Sequence, residues 1–79
     1  MYILIAAIER EIIFVGKFDT EAAAHEVMEA ELAKALNIDI PENWDNVKKF
    51  AREDEFDIDD DSAWANRMYN YDWKIIEID

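Results

Sequence analysis

Two apolar runs open the chain, and both predict β-strands. Residues 2–8 are almost continuously apolar, residues 12–18 are rich in Ile, Val and Phe, and a polar turn at residues 9–11 separates them. Short β-branched runs on either side of a charged turn are typical of a β-hairpin. The first run predicts a strand that is covered on both faces or central in a sheet. A period of two divides the second run into two faces, with Ile12, Phe14 and Gly16 on one and Ile13, Val15 and Lys17 on the other.

The next block, residues 21–36, has the period of an amphipathic helix. Asp19 or Thr20 is suited to cap its start, and Asn37 is suited to end it. The stripe that faces the core contains Ala24, Met28, Leu32 and Ala35, with Val27 and Leu36 at its edges. A second, shorter helix is predicted to begin at Pro41, with the apolar residues Trp44, Val47, Phe50 and Ala51.

The last block returns to a strand-like composition. Residues 71–78 predict a strand, and residues 62–65 are a candidate short strand that pairs with it through a turn at residues 66–70. The fold class is therefore α+β: a small antiparallel sheet, made of the N-terminal hairpin and the C-terminal strand, has two helices packed on one face. We expect residues 1–79 to form a single domain. Its core is predicted to join Trp73, Ile75 and Ile78 to Ile3, Ile5, Phe14 and Met28.

The charge balance restricts the possible partners. The chain has 20 acidic and 8 basic residues, a net charge of −12, and no cysteine. Its 52% hydrophobic content favours a folded domain over disorder. No run of bases exceeds two residues, so we expect no direct binding to nucleic acid or to an anionic membrane. The missing cysteine, and an apolar start without the flanks of a signal peptide, favour a cytoplasmic protein.

Candidate catalytic and metal-binding chemistry is sparse. Ser62 and His25 lack the context of a nucleophile elbow, and one Gly leaves little for an oxyanion loop. His25 is interpreted as a half-buried packing residue. The run 57–61 places Asp57, Asp59 and Asp61 at positions 1, 3 and 5 of a calcium loop, but Gly is missing at position 6 and Glu at position 12. We expect no enzymatic activity, no cofactor and no specific metal site.

An acidic segment and a C-terminal aromatic cluster are the candidate binding features. In an extended chain, Phe56 and Ile58 would point inward while Glu55, Asp57 and Asp59 point outward, about 6.6 Å apart. The segment is either a solvated loop that aids solubility or a recognition surface that imitates a phosphate backbone. The aromatics are either hairpin packing or a contact patch, with Tyr69 and Tyr71 as its exposed members. The candidate partner-binding residues are Glu53, Asp54, Glu55, Asp57, Asp59, Asp60, Asp61, Tyr69 and Tyr71.

The C-terminal third carries a resemblance. The strings 63–66 (AWAN) and 71–78 (YDWKIIEI), with the acidic stretch before them, resemble small acidic proteins of bacterial mobile elements. The resemblance implies a context in which such proteins inhibit host defences, and several anti-CRISPR proteins act by mimicking DNA. The hypothesis is a non-enzymatic protein-binding module, in its sharper form a DNA-mimicking inhibitor of a host protein with a basic nucleic-acid-binding surface, such as a CRISPR effector. The alternatives are a housekeeping interaction or assembly protein and a weakly divalent-metal-responsive protein.

Overall fold

The computed structural model describes residues 1–49 and 55–78, which form five strands and two helices. In chain order they are β1 (Tyr2–Ile8), β2 (Glu11–Phe18), α1 (Glu21–Leu36), α2 (Trp44–Lys48), β3 (Phe56–Ile58), β4 (Ser62–Asn66) and β5 (Asn70–Glu77). The strands form one antiparallel sheet in the order β2-β1-β5-β4-β3. The predicted α+β class is therefore confirmed. β1 lies between β2 and β5, so the expectation that the first apolar run forms a strand inside the sheet is confirmed.

A tight turn at Glu9 and Arg10 connects β1 to β2. Both residues have positive φ angles, 49° and 76°, which suit the right-handed twist of a hairpin but favour Asn or Gly. Glu9 anchors the turn to the start of β5. Its backbone N–H donates to the Asn70 carbonyl at 3.1 Å, and its carboxylate accepts from the Asn70 N–H at 3.0 Å.

A bulge in β2 changes the faces that the sequence predicts for this strand. Leu4 pairs with Gly16, but Ile5 pairs with Phe14, so that Val15 is an extra residue. Gly16 therefore lies on the side of Leu4, and Phe14 lies on the side of Ile5. The expectation that Ile12, Phe14 and Gly16 share one face is wrong, because the period of two is interrupted at a bulge.

The core lies between α1 and one face of the sheet. Helix α1 contributes Ala24, Met28, Leu32 and Leu36 to the cluster of buried side chains. The sheet contributes Leu4, Ala6, Phe56, Ala63, Ala65, Trp73 and Ile75. Met28, Trp73 and Ile75 are thus confirmed as core residues.

Four predicted core residues lie elsewhere. Ile3 and Ile5 alternate with the buried Leu4 and Ala6, so their side chains point to the opposite face of β1. Phe14 is turned away by the bulge and is exposed. Ile78 follows the end of β5 and is only partly buried.

Thr20 and Asn37 cap the two ends of α1, as the sequence predicts. The Thr20 hydroxyl accepts from the Ala23 N–H at 3.1 Å, and Asn37 ends the helix in the left-handed region with φ 59°. The Arg67 guanidinium donates to the Leu36 carbonyl, one of the last acceptors of the helix. This bond ties the C-terminus of α1 to the turn between β4 and β5.

The structure confirms one of the predicted elements around the acidic run and changes two others. β3 is an edge strand paired with β4, whereas the pattern predicted only an extended segment. The predicted strand at residues 62–65 is confirmed as β4. Helix α2 begins at Trp44 rather than Pro41, because the Asn43 side chain caps it by accepting from the Asp45 N–H at 2.9 Å. The predicted helical residues Phe50 and Ala51 lie outside the described residues.

The second face of the sheet is covered by neither α1 nor α2. Cross-strand pairing places six large apolar side chains on it, namely Ile3, Ile5, Ile12, Phe14, Trp64 and Ile76. Its charged members are Lys17, Asp57, Asp72 and Lys74. We call these ten residues the open face. In residues 1–49 and 55–78, neither helix has the length and apolar character needed to cross a bilayer.

Candidate acidic groove

An open groove lies between the first half of α1 and the turn that joins β3 to β4. Carboxylates come to it from three separate segments, and we call it the acidic groove. It is lined by Glu21, His25, Glu26 and Glu29 of α1, by Glu42, Asn43 and Trp44, and by Ile58, Asp59, Asp60 and Asp61. The core stripe of α1 faces the sheet, so its acidic flank is left beside this turn.

Hydrogen bonds of His25 and Glu29 connect the segments that line the groove. The His25 ring places Nδ1 2.8 Å from Glu29 Oε1 and Nε2 3.2 Å from the Asp59 carbonyl. The other Glu29 oxygen accepts from the Trp44 indole N–H at 3.1 Å. Helix α1 is thereby linked to the β3–β4 turn on one side and to α2 on the other. His25 is half-buried, as predicted, and it also makes polar contacts that the sequence does not indicate.

Three carboxylates of the acidic run are paired with basic side chains of the same chain. Asp57 pairs with Lys48, Asp61 with Lys74 at 2.8 Å, and Glu55 with Arg67 at 3.5 Å. The Lys48 ammonium lowers the pKa of Asp57, and Asp57 in turn raises the pKa of Lys48. In the same way, Lys74 lowers the pKa of the Asp61 carboxyl.

These pairs interrupt the predicted row of outward charges. Phe56 is buried and Ile58 is half-buried against the core, so the two apolar side chains do point inward. Of Glu55, Asp57 and Asp59, however, the first two are neutralised by Arg67 and Lys48. Asp59 and Asp60 are exposed and make no ion pair with the other described residues. The predicted Glu53 and Asp54 lie outside the described residues.

The aromatic candidates form a ladder along β5. Tyr69 meets Tyr71 edge-on with ring centroids 6.2 Å apart, and Tyr71 stacks on Trp73 at 5.5 Å with an interplanar angle of 4°. Tyr69 is exposed, Tyr71 is partly buried against the core, and Trp73 is buried. The ladder therefore begins at the surface and ends in the hydrophobic core.

The acidic groove and the exposed end of this ladder do not form one site. Asp59 and Asp60 precede β4, whereas Tyr69 follows it, so the five residues of β4 separate them by roughly 16 Å. The groove is instead lined by Glu21, Glu26, Glu29 and Glu42, none of which is among the binding residues predicted from the sequence. The i, i+3 spacing of Glu26 and Glu29 indicates an acidic helix flank, but nothing in the sequence shows which loop packs beside it.

Neither a metal-ligand cluster among the described residues nor a family match assigns a function to the groove. Among residues 1–49 and 55–78, no group of three or more His, Asp or Glu side chains is arranged to hold a metal ion. No protein-family model matches the chain, and searches of curated proteins and of solved structures return no significant match.

Proposed function

We propose that this chain is a non-enzymatic protein-binding module whose acidic groove takes a lysine- or arginine-rich segment of a partner. The observation that carries the proposal is the convergence of exposed carboxylates in the groove, where Glu21 and Glu26 of α1 lie beside Asp60 of the β3–β4 turn. None of the three makes an ion pair with the other described residues. The Trp44 ring lines the adjoining part of the groove, together with Asp59 and Asp60. Carboxylates bind guanidinium and ammonium groups through charge-assisted hydrogen bonds, and an aromatic ring adds a cation–π contact.

The rest of the chain supports such a partner through its charge. A net charge of −12 attracts a basic surface over several ångströms and accelerates its encounter with the groove. Basic segments of this kind are common where proteins bind DNA or RNA. In its sharper form, the proposal is therefore that the chain competes with nucleic acid for a cytoplasmic host protein, such as a CRISPR effector.

Two variants with the same charge separate groove binding from general attraction. The groove variant carries Glu26→Gln, Asp59→Asn and Asp60→Asn, and the control carries Glu11→Gln, Asp19→Asn and Asp39→Asn. Each variant loses three negative charges at exposed positions. The probe is a fluorescein-labelled 12-residue peptide of alternating Lys and Arg, measured by anisotropy at low salt.

The groove variant is expected to bind the peptide at least ~10-fold more weakly than the wild type, since each lost contact contributes roughly 0.5–1 kcal/mol. The control is expected to lose ~3-fold or less through long-range attraction alone. Equal losses in the two variants would refute the groove as the binding site. Capture of partners from a lysate, with and without nuclease, then tests whether the partner is a nucleic-acid-binding protein.

A further inference from the structure

The open face exposes a continuous apolar surface on the side of the sheet away from α1. Ile12 is 78% exposed, Phe14 62% and Ile76 37%. Phe14 pairs with Ile5, and Ile76 pairs with Ile3, so the apolar side chains continue across three neighbouring strands. Monomeric proteins rarely expose contiguous apolar patches of more than a few hundred Å², and larger ones mark interaction sites.

The open face is also nearly free of the negative charge that covers the rest of the chain. Lys17 and Lys74 balance Asp57 and Asp72. Lys48 and Asp61, which pair with Asp57 and Lys74, cancel each other, so the face is formally neutral in a chain of net charge −12. A second copy of the same acidic chain is repelled by most of the surface but not by this face. The distribution of charge therefore favours self-association at the open face.

The size of the open face matches a standard protein interface. β1, β2 and β5 are seven or eight residues long, which gives a face roughly 25 Å long and 20 Å wide when the five strands are spaced normally. A flat face of these dimensions has an area of about 500 Å². Because side chains protrude from the sheet, the solvent-accessible area is larger and approaches the ~800 Å² that each partner buries in a stable complex. One copy of this sheet is thus large enough to cover another.

We propose that two copies of the chain pack open face against open face as a two-fold symmetric dimer. Ile5 pairs with Lys74 and Ala7 with Asp72 in adjacent rows of the sheet. In a face-to-face dimer, the two-fold axis can lie between the two sheets, perpendicular to the strands and midway between these two rows. Rotation about this axis brings Lys74 of each copy opposite Asp72 of the other. The same operation places Phe14 of each copy opposite Ile12 of the other, so the two central rows of the open face are self-complementary.

The dimer leaves the acidic groove accessible, and the ion pair between Asp61 and Lys74 connects the groove to the edge of the open face. The groove is formed by α1 and the β3–β4 turn, whereas the open face is on the other side of the sheet from α1. Both grooves of a dimer therefore remain accessible. A partner with two basic segments would be held at both sites at once, which raises its effective concentration at the second site.

Four lysine substitutions locate the interface. Phe14→Lys and Ile76→Lys change the open face, and Ile76 lies in an interior strand that edge-to-edge strand pairing would not use. Ile13→Lys changes the edge strand β2 on its other face, and Met68→Lys changes an apolar side chain that is 84% exposed in the turn before β5. Each substitution is at an exposed position, and each lowers the net negative charge, so none can act by raising the repulsion between copies.

Sedimentation equilibrium is expected to show wild-type chains as a dimer of twice 9.3 kDa. Phe14→Lys and Ile76→Lys are expected to raise the dimer Kd at least ~30-fold, because a lysine is then desolvated in the interface. Ile13→Lys and Met68→Lys are expected to change it less than ~3-fold. Circular dichroism confirms that all four variants are folded.

Added salt provides a second readout. Dimerisation is expected to strengthen between low and high NaCl, because salt screens the repulsion between two acidic chains. Peptide binding at the acidic groove is expected to weaken over the same range. A monomeric wild type, or a dimer that Ile13→Lys breaks and Ile76→Lys leaves intact, overturns the proposal, the latter in favour of edge pairing.

Discussion

Replacing Trp73 with alanine tests the packing on which the whole fold depends. Trp73 is 4% exposed in β5 and pairs with Ala6 of β1 and Ala63 of β4. The two alanines leave room for the indole between α1 and the sheet. In Trp73→Ala, three alanines would lie side by side across the sheet. Because none of them can fill the space, the cavity cannot collapse.

The expected loss in the free energy of unfolding follows from this geometry. A buried tryptophan removes up to ~250 Å² from water at ~25 cal/mol per Å², and replacement by alanine typically costs about 3–5 kcal/mol. Because the neighbouring side chains are alanines that cannot fill the cavity, we expect the loss in Trp73→Ala to lie near the upper end of this range. A chain of 79 residues has a total stability of about 4–12 kcal/mol, so the variant should be close to unfolding.

Urea unfolding followed by far-UV circular dichroism measures the loss. Trp73→Phe keeps most of the apolar volume and should lose about half as much, which gives a measurable midpoint even if Trp73→Ala does not fold. Tyr69→Ala is the control, because Tyr69 is an exposed aromatic side chain outside the open face. A loss below ~1.5 kcal/mol in Trp73→Ala, or one no larger than in Tyr69→Ala, would refute this description of the core.

Two smaller predictions concern the first turn and the pH dependence of stability. Arg10→Gly should raise the free energy of unfolding by about 0.5–1 kcal/mol, since a φ of 76° strains any side chain with a Cβ; an unchanged or lower urea midpoint would contradict this. Lys48→Met should cost about 0.5 kcal/mol at neutral pH, because the pair with Asp57 is partly solvated. The folded-state pKa of Asp57 is lowered, so this contribution is present above the unfolded pKa of ~3.9 and disappears as the pH falls through the folded pKa. A loss that persists at pH 2, or an equal loss in Lys49→Met, would contradict that assignment.

Local sequence patterns are sufficient to predict the strands and helices and the surfaces that tend to be buried. The apolar runs at the two ends predict β1, β2 and β5, and the stripe through Ala24, Met28 and Leu32 predicts α1 with its caps. These features depend on local periodicity and on hydrogen bonds between residues close in the chain, so they can be read without the fold. The α+β class follows from them, since one helix and several amphipathic strands need a common core.

Which residues share a face of the sheet, and which of the described charges form ion pairs, depends on contacts between distant segments. A single bulge at Val15 moves Phe14 from the predicted core to the open face. The pairs of Lys74 with Asp61 and Arg67 with Glu55 join residues more than ten positions apart. With the pair of Lys48 and Asp57, they neutralise three of the five acidic residues of the predicted surface that the structure describes. Register and long-range pairing are set by packing between distant segments, and a periodic pattern contains no information about them.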